Sequence, residues 1–216
     1  MTMEAVPRRA PRGGLGRIVA GVAVISVLAA MAYDTRVVRI GSDEHVQDDV
    51  FSPETFGTTE FPKIQTSVES RAVDAATLAP AALADKAAAG KQYGVPAGAA
   101  PVVPVKFTGV AGEARSGVYP ITVDGVPSDV TIRLQTGPAI NGTDLRDATG
   151  EIVFGQFRNQ IEYQNAGSGL NNAMKAAVLQ GVDTANLQGK TVTAVGVFKL
   201  INPKNWLVTP VSLSVQ

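Results

Sequence analysis

The sequence predicts an α+β chain. It consists of a five-stranded OB-like β-barrel with a helical insertion between strands 3 and 4, preceded by a small helical region and an N-terminal membrane helix. Three observations carry this. A basic flank precedes an uncharged apolar run at the N-terminus. Helical spacing fills residues 51–93. Beyond residue 102 the apolar period changes to two, with one helical interruption before the last two strands.

The N-terminus comes first in the chain. Arg8, Arg9, Arg12 and Arg17 stand against one acid, Glu4, and Ile18 to Ala32 then runs without a charge. A basic flank before an apolar run keeps the flank in the cytoplasm and places the following chain outside. Residues 1–33 are therefore read as a signal-anchor, a single-pass membrane segment with the folded part on the periplasmic side. The alternative is cleavage after the small-x-small group Ala30-Met31-Ala32, releasing a periplasmic protein. Arg8-Arg9 is flanked by prolines and reads as ordinary positive flank. Residues 34–50 are a polar stem. Within it His45 lies among Asp43, Glu44, Asp48 and Asp49, a solvated charged run.

Residues 51–93 are helical. Pro62 suits a first turn. Ile64, Val68 and Ala72 form an apolar stripe, and Asp74 and Asp85 stand as caps for two further short helices. Residues 94–104, with three prolines and two glycines, read as a linker before a barrel domain over residues 105–216. Val103, Val105 and Phe107 mark the first strand face, Val118–Val123 the second strand and Asp129–Gln135 the third. Thr143 is positioned to cap a short helix from Asp144 to Ala148. Ile152–Tyr163 is aromatic-rich and irregular, and Leu170–Leu179 is a helix. Thr191–Phe198 and Trp206–Val215 complete the strands, with Gly109 and Gly196 as corner positions.

Composition narrows function. The 216 residues hold 19 Lys+Arg and 19 Asp+Glu, so no net charge favours a nucleic-acid partner. There is no cysteine and one histidine. That excludes a Cys nucleophile, thiolate metal sites and a multi-His centre within these residues. No cofactor, metal or catalytic set is predicted.

The richest polar stretch is Gln156–Lys175. Arg146, Arg158, Asn159, Gln160, Glu162, Tyr163, Asn171 and Asn172 are the candidate ligand-binding residues, because amides and charges near aromatics hold small polar molecules. The competing reading gives Asn159 and Gln160 the task of satisfying backbone groups. Asp144 and Asp147 sit at a helix start, where acids are favoured anyway.

Three blocks resemble one family. They are Gly137 to Asp147, Phe154 to Tyr163 and Leu170 to Lys175, with Asn159-Gln-Ile-Glu-Tyr163 the most specific run. Leu187–Val192, Asn202–Pro210 and, more loosely, Arg71–Leu78 agree with it. Residues 50–216 thus resemble a bacterial periplasmic lipoprotein family known only as domain of unknown function family 2291. The resemblance implies a cell-envelope protein, with ABC-type sugar transporter subunits as associated partners. Most members carry a lipidated cysteine after the signal; its absence here favours the uncleaved anchor. The expected function is a non-enzymatic envelope component that binds a partner or a small polar ligand. The alternatives are a glycan hydrolase using Asp147, Glu151 or Glu162, and a purely structural envelope protein.

Overall fold

The computed structural model describes Gly14–Asp34 and residues 51–216, which belong to two separate compact units. The His45 run lies outside the described residues. In the first unit, helix α1 spans Gly14–Asp34, and its apolar side chains from Val19 to Met31 are exposed. Among the described residues no helix is long and apolar enough to cross a membrane. The predicted membrane helix is thus not supported. Ile18–Ala32 explains the shortfall: fifteen helical residues rise about 22 Å, against a hydrocarbon core of about 30 Å.

The second unit is built on a closed barrel. Its strands are β2 (Val102–Ala111), β3 (Val118–Val123), β4 (Thr131–Gln135), β5 (Thr191–Lys199) and β6 (Asn205–Val215). The order is β2-β3-β4-β6-β5, and β5 pairs back onto β2 along nearly its whole length. All neighbours are antiparallel except β4 and β6, which run parallel with Thr131 opposite Asn205. Three strands, a helical insertion and two strands is the predicted order, and the β2–β5 pairing closes the sheet into a barrel. A two-residue strand, β1 (Val73–Asp74), adds in parallel to the start of β2.

Gly196 turns a corner as predicted. The β5–β6 register shifts at Val195/Gly196, and a Cβ on Gly196 would collide with the Thr209 carbonyl. Inside the barrel Trp206 is fully buried and stacks on Phe198 at 4.6 Å, with its Nε1 donating to the Pro203 carbonyl at 2.8 Å. The ring fills core volume and is closed to any ligand.

Helices α2 (Pro53–Arg71), α3 (Ala75–Ala84) and α4 (Lys86–Tyr93) precede the barrel, and α5 (Asp144–Asp147) and α6 (Gln160–Met174) form the insertion. Helix α2 starts at Pro53, capped by Ser52, so Pro62 lies inside it and not in its first turn. The interruption is cheap here because Thr58, whose carbonyl Pro62 leaves unbonded, is exposed to water.

A second core lies outside the barrel wall. Phe61, Ile64 and Val68 of α2 meet Leu145, Leu170 and Met174 of the insertion over Val102, Val197 and Val211 of the strands. This explains why Val102, Val103, Pro104 and Val105 are all buried in succession: one face looks into the barrel and the other is covered by helices. Helix α6 begins ten residues before the predicted Leu170, because Asn159 accepts from the Glu162 amide and caps it. Its last turn widens to a π-turn over Lys175–Leu179.

Helices α2 and α6 touch backbone to backbone. A Cβ on Gly169 would overlap the Pro53 carbonyl, and one on Gly57 would overlap that of Gly169. Gly169→Ala is therefore expected to lower stability by about 1–3 kcal/mol; a urea unfolding curve unchanged from wild type would show that the helices separate freely.

The stretch read as a linker is ordered differently. Val95 and Val102 exchange both backbone hydrogen bonds, at 2.8 and 2.9 Å, closing residues 96–101 into a tight loop, and the strand begins at Val102. The proline and glycine content describes that loop; the valines after it already belong to the ladder.

Candidate functional site

The loop, the strand end and the insertion meet at one cavity. Val102 pairs with Lys199 at the end of β5, and the Leu200 amide donates to the Pro101 carbonyl at 2.9 Å. Phe198 points into the barrel core, so Lys199 must point outward. There it meets α5, which follows β4 around the barrel end. The resulting cavity holds about 600 Å³. The loop residues 96–100 and Ile201 line one part, and Ile152, Val153 and Phe154 another, with Thr143, Arg146, Asp147, Tyr163 and Lys199 as polar lining.

The polar lining is tightly interconnected. Arg146 Nε donates to Asp147 Oδ1 at 2.9 Å, and its Nη1 donates to the Tyr163 carbonyl at 3.3 Å. The guanidinium lies 3.7 Å from the centre of the Tyr163 ring, a cation–π contact. Thr143 occupies the N-cap position of α5 but does not cap it. Its hydroxyl instead donates to Asp147 Oδ2 at 2.9 Å and accepts from Lys199 Nζ at 2.6 Å. Lys199 also pairs with Asp147 Oδ2 at 3.1 Å and stands 3.9 Å from Asp144 Oδ1.

The two aspartates are driven apart in acidity. Burial pushes the Asp144 carboxyl up to about 6, and the Lys199 charge only partly opposes it, while the neighbouring Asp147 charge adds to the rise. Burial also pushes Asp147 up, but hydrogen bonds from Arg146, Thr143 and Lys199 outweigh it and hold Asp147 below the usual carboxylate range. Asp144 and Asp147 are thus the counter-ions of a partly buried lysine and a buried arginine, and not a complement to the dipole of a four-residue helix.

Of the eight candidate residues, Arg146 and Tyr163 line this cavity. Asn159 accepts from the Glu162 amide at 2.9 Å, and Glu162 Oε2 accepts from the Arg158 amide at 2.9 Å; both serve the start of α6. The exposed Arg158, Gln160 and Asn172 do not reach the lining. Asn171 is buried and donates to the Gly142 carbonyl at 2.9 Å, tying α6 to the loop before α5. Asp147, Glu151 and Glu162 do not converge. Asp147 lines this cavity, Glu151 lines another of about 510 Å³ beside Phe51, Phe56 and Phe157, and Glu162 is at the helix cap.

Sequence reasoning missed Lys199, Phe154 and the 96–100 loop. Lys199 ends a strand whose alternation fixes only that it points outward. Phe154 stands in the aromatic segment, packed edge-on against Tyr163 at 5.7 Å yet half exposed. An exposed aromatic within an otherwise buried cluster is visible only once the cluster is assembled.

The family's sequence profile matches residues 22–214, which take in most of the apolar run and nearly all of residues 51–216. The chain belongs to the predicted periplasmic lipoprotein family DUF2291. Membership places it outside the cytoplasm, in association with the cell envelope. No curated protein matches this DUF2291 chain. Among solved structures, an OB-fold protein from Thermotoga maritima is similar, with 17% identity and a TM-score of 0.61 over 78% of this chain and 100% of that one. At that identity the likeness shows the fold: the DUF2291 barrel is OB-like.

Proposed function

We propose that the protein is a non-enzymatic binding component of the cell envelope, and that the cavity between the 96–100 loop and the helical insertion is its ligand site. One observation carries the reading. Phe154, half exposed, and an interlinked set of hydrogen-bonding side chains, with Arg146 buried and the others half-buried, line the same 600 Å³ cavity. An apolar wall with a few fixed polar groups is the usual form of a small-molecule site, and this volume suits a molecule of sugar size. The non-enzymatic part rests on Asp147, whose two oxygens are both engaged by neighbouring side chains, and on the dispersal of the other carboxylates.

The proposed partner is an ABC-type sugar transporter, the association that the family resemblance implies. The N-terminal segment, with its arginine flank, is proposed to hold the protein at the membrane. Its short apolar run would be accommodated by local thinning of the bilayer and by snorkelling of flanking residues.

Affinity purification of the tagged protein from native membranes tests both parts. A permease, ATPase or sugar-binding subunit is expected to co-purify, together with a bound small molecule. A bait that carries no small molecule and no transporter subunit above background would refute the accessory role. The same membrane fraction is expected to contain the intact N-terminus; a soluble form beginning at Tyr33 would replace the anchor with a cleaved signal. With any ligand so recovered, Phe154→Ala is expected to weaken binding about three- to tenfold. Unchanged affinity would remove Phe154 from the site.

A further inference from the structure

The hydrogen-bonding capacity left over in the cavity is lopsided. Among the lining side chains, the Asp147 carboxylate and the Thr143 hydroxyl are already engaged. Asp147 Oδ1 takes Arg146 Nε, and its Oδ2 takes both Thr143 and Lys199. The Thr143 hydroxyl donates to Asp147 and accepts from Lys199. What remains on the charged side chains is a donor. Arg146 uses Nε and Nη1, while its Nη2 has no hydrogen-bond partner among the described residues. That side chain is only 10% exposed, so water has limited access to it.

The lining itself carries Arg146, Lys199 and Asp147, and Asp144 stands behind Lys199 at 3.9 Å as a second counter-ion. A neutral sugar hydroxyl would gain only an ordinary hydrogen bond from that cationic donor, and a carboxylate a charge-assisted one. A carboxylate accepts only, and a guanidinium is the group best matched to it. The other lining residues, Ile152, Val153, Phe154 and Ile201, are apolar.

We propose that the cavity takes a small organic monocarboxylate, its acid group on the Arg146 guanidinium and its body against Phe154, Val153 and Ile201. This rests on the reading of the cavity as a ligand site and narrows that reading to one chemical class. A carboxylate is preferred to a phosphate ester because Asp147 and Asp144 already balance most of the arginine and lysine charge, and a dianion would be left largely uncompensated.

The test is a titration of the full chain with paired probes, glucuronate against glucose and benzoate against benzyl alcohol, with inorganic phosphate as a fifth. Binding is followed by calorimetry and by the NMR signals of Phe154 and Tyr163. At millimolar concentrations at least one carboxylate is expected to bind about tenfold or more tightly than its neutral partner. Arg146→Gln is expected to abolish that preference, and Arg146→Lys to retain part of it. Should Arg146→Gln fail to fold, the wild-type preference within each pair still decides. Glucose binding as well as glucuronate would overturn the carboxylate assignment and leave the cavity as a ligand site. Phosphate binding in preference to both carboxylates would overturn it too. Silence of the Phe154 and Tyr163 signals toward all five probes would overturn it as well; the native co-purification then decides the cavity reading separately, since a recovered molecule that moves those signals keeps it.

Discussion

Asp144→Asn is expected to raise the stability of the folded unit by up to about 3 kcal/mol at pH 8 and to leave it nearly unchanged at pH 4. The magnitude comes from linkage. The folded carboxyl titrates at about 6 against an ordinary value of 3.8, and each unit of difference corresponds to about 1.4 kcal/mol. The direction follows from where the proton sits. Between the two values the folded chain binds the proton and the unfolded chain does not. Stability therefore falls as pH rises from about 4 to about 6, and above that the folded protein carries an ionised group it would prefer neutral. Asparagine keeps the shape and removes the charge, so the penalty disappears where aspartate would be ionised. Asp147 acts oppositely: its carboxyl is held low, so its contribution is present above the ordinary carboxylate range and is lost as pH falls through its own lower value. Chemical denaturation of wild type and Asp144→Asn at both pH values separates the two. A variant less stable than wild type at pH 8 would mean that Lys199 attracts Asp144 more than burial penalises it.

An acid retained in such a place calls for an explanation other than stability. Asp144 stands where α5 meets the barrel, 3.9 Å from the lysine that lines the cavity. Packing alone would be served as well by asparagine. A carboxyl titrating near neutrality, one lysine away from a cavity, adjusts local charge when an anion arrives, because Lys199 can be shared less with Asp144 once that group takes a proton. The stability cost is therefore consistent with a binding role at this end of the barrel.

How much of this was legible in the sequence depends on the range of the interaction. The strands were, because alternation in Val103–Phe107 and Asp129–Gln135 reports a local period that the barrel preserves. The glycine corner at Gly196 was legible for the same reason. Helix α6 was only partly so. Its second half carries the apolar spacing of Leu170, Met174 and Val178, whereas its first half is held by the Asn159 cap and by the glycine contact with α2, which has no local signature. The site was the least legible. The polar density of Gln156–Lys175 drew attention to a helix start whose amides and carboxylates serve backbone groups. The charged cluster was assembled from α5 and a strand end more than fifty residues later. Thr143 illustrates the difficulty: its sequence position is that of a cap, and its hydroxyl goes to Asp147 and Lys199, which the fold brings within hydrogen-bond reach.

Lys199→Met is expected to be the most damaging substitution in the cluster, lowering stability by about 2–3 kcal/mol at pH 8. Removing one partner of a partly buried ion pair costs more than the pair contributes, because the remaining charge stays behind without compensation, and the 28% exposure of Lys199 keeps the loss below that of a fully buried pair. Here two carboxylates stay behind, and only Asp147 retains a cation, Arg146. Asp144 loses the lysine charge that holds its pKa down and keeps both the burial and the Asp147 repulsion that raise it. Its carboxyl should therefore move further above 6 in the variant, and the loss should shrink as pH falls and the group is neutralised. Asp144→Asn introduced into Lys199→Met performs that neutralisation permanently. The double variant is expected to recover a large part of the loss at pH 8 and little at pH 4, a coupling that urea unfolding of the four-member cycle measures directly. Additive effects at pH 8 would mean that Asp144 and Lys199 do not feel each other, and that the lysine is held in the cavity by Thr143 and Asp147 alone.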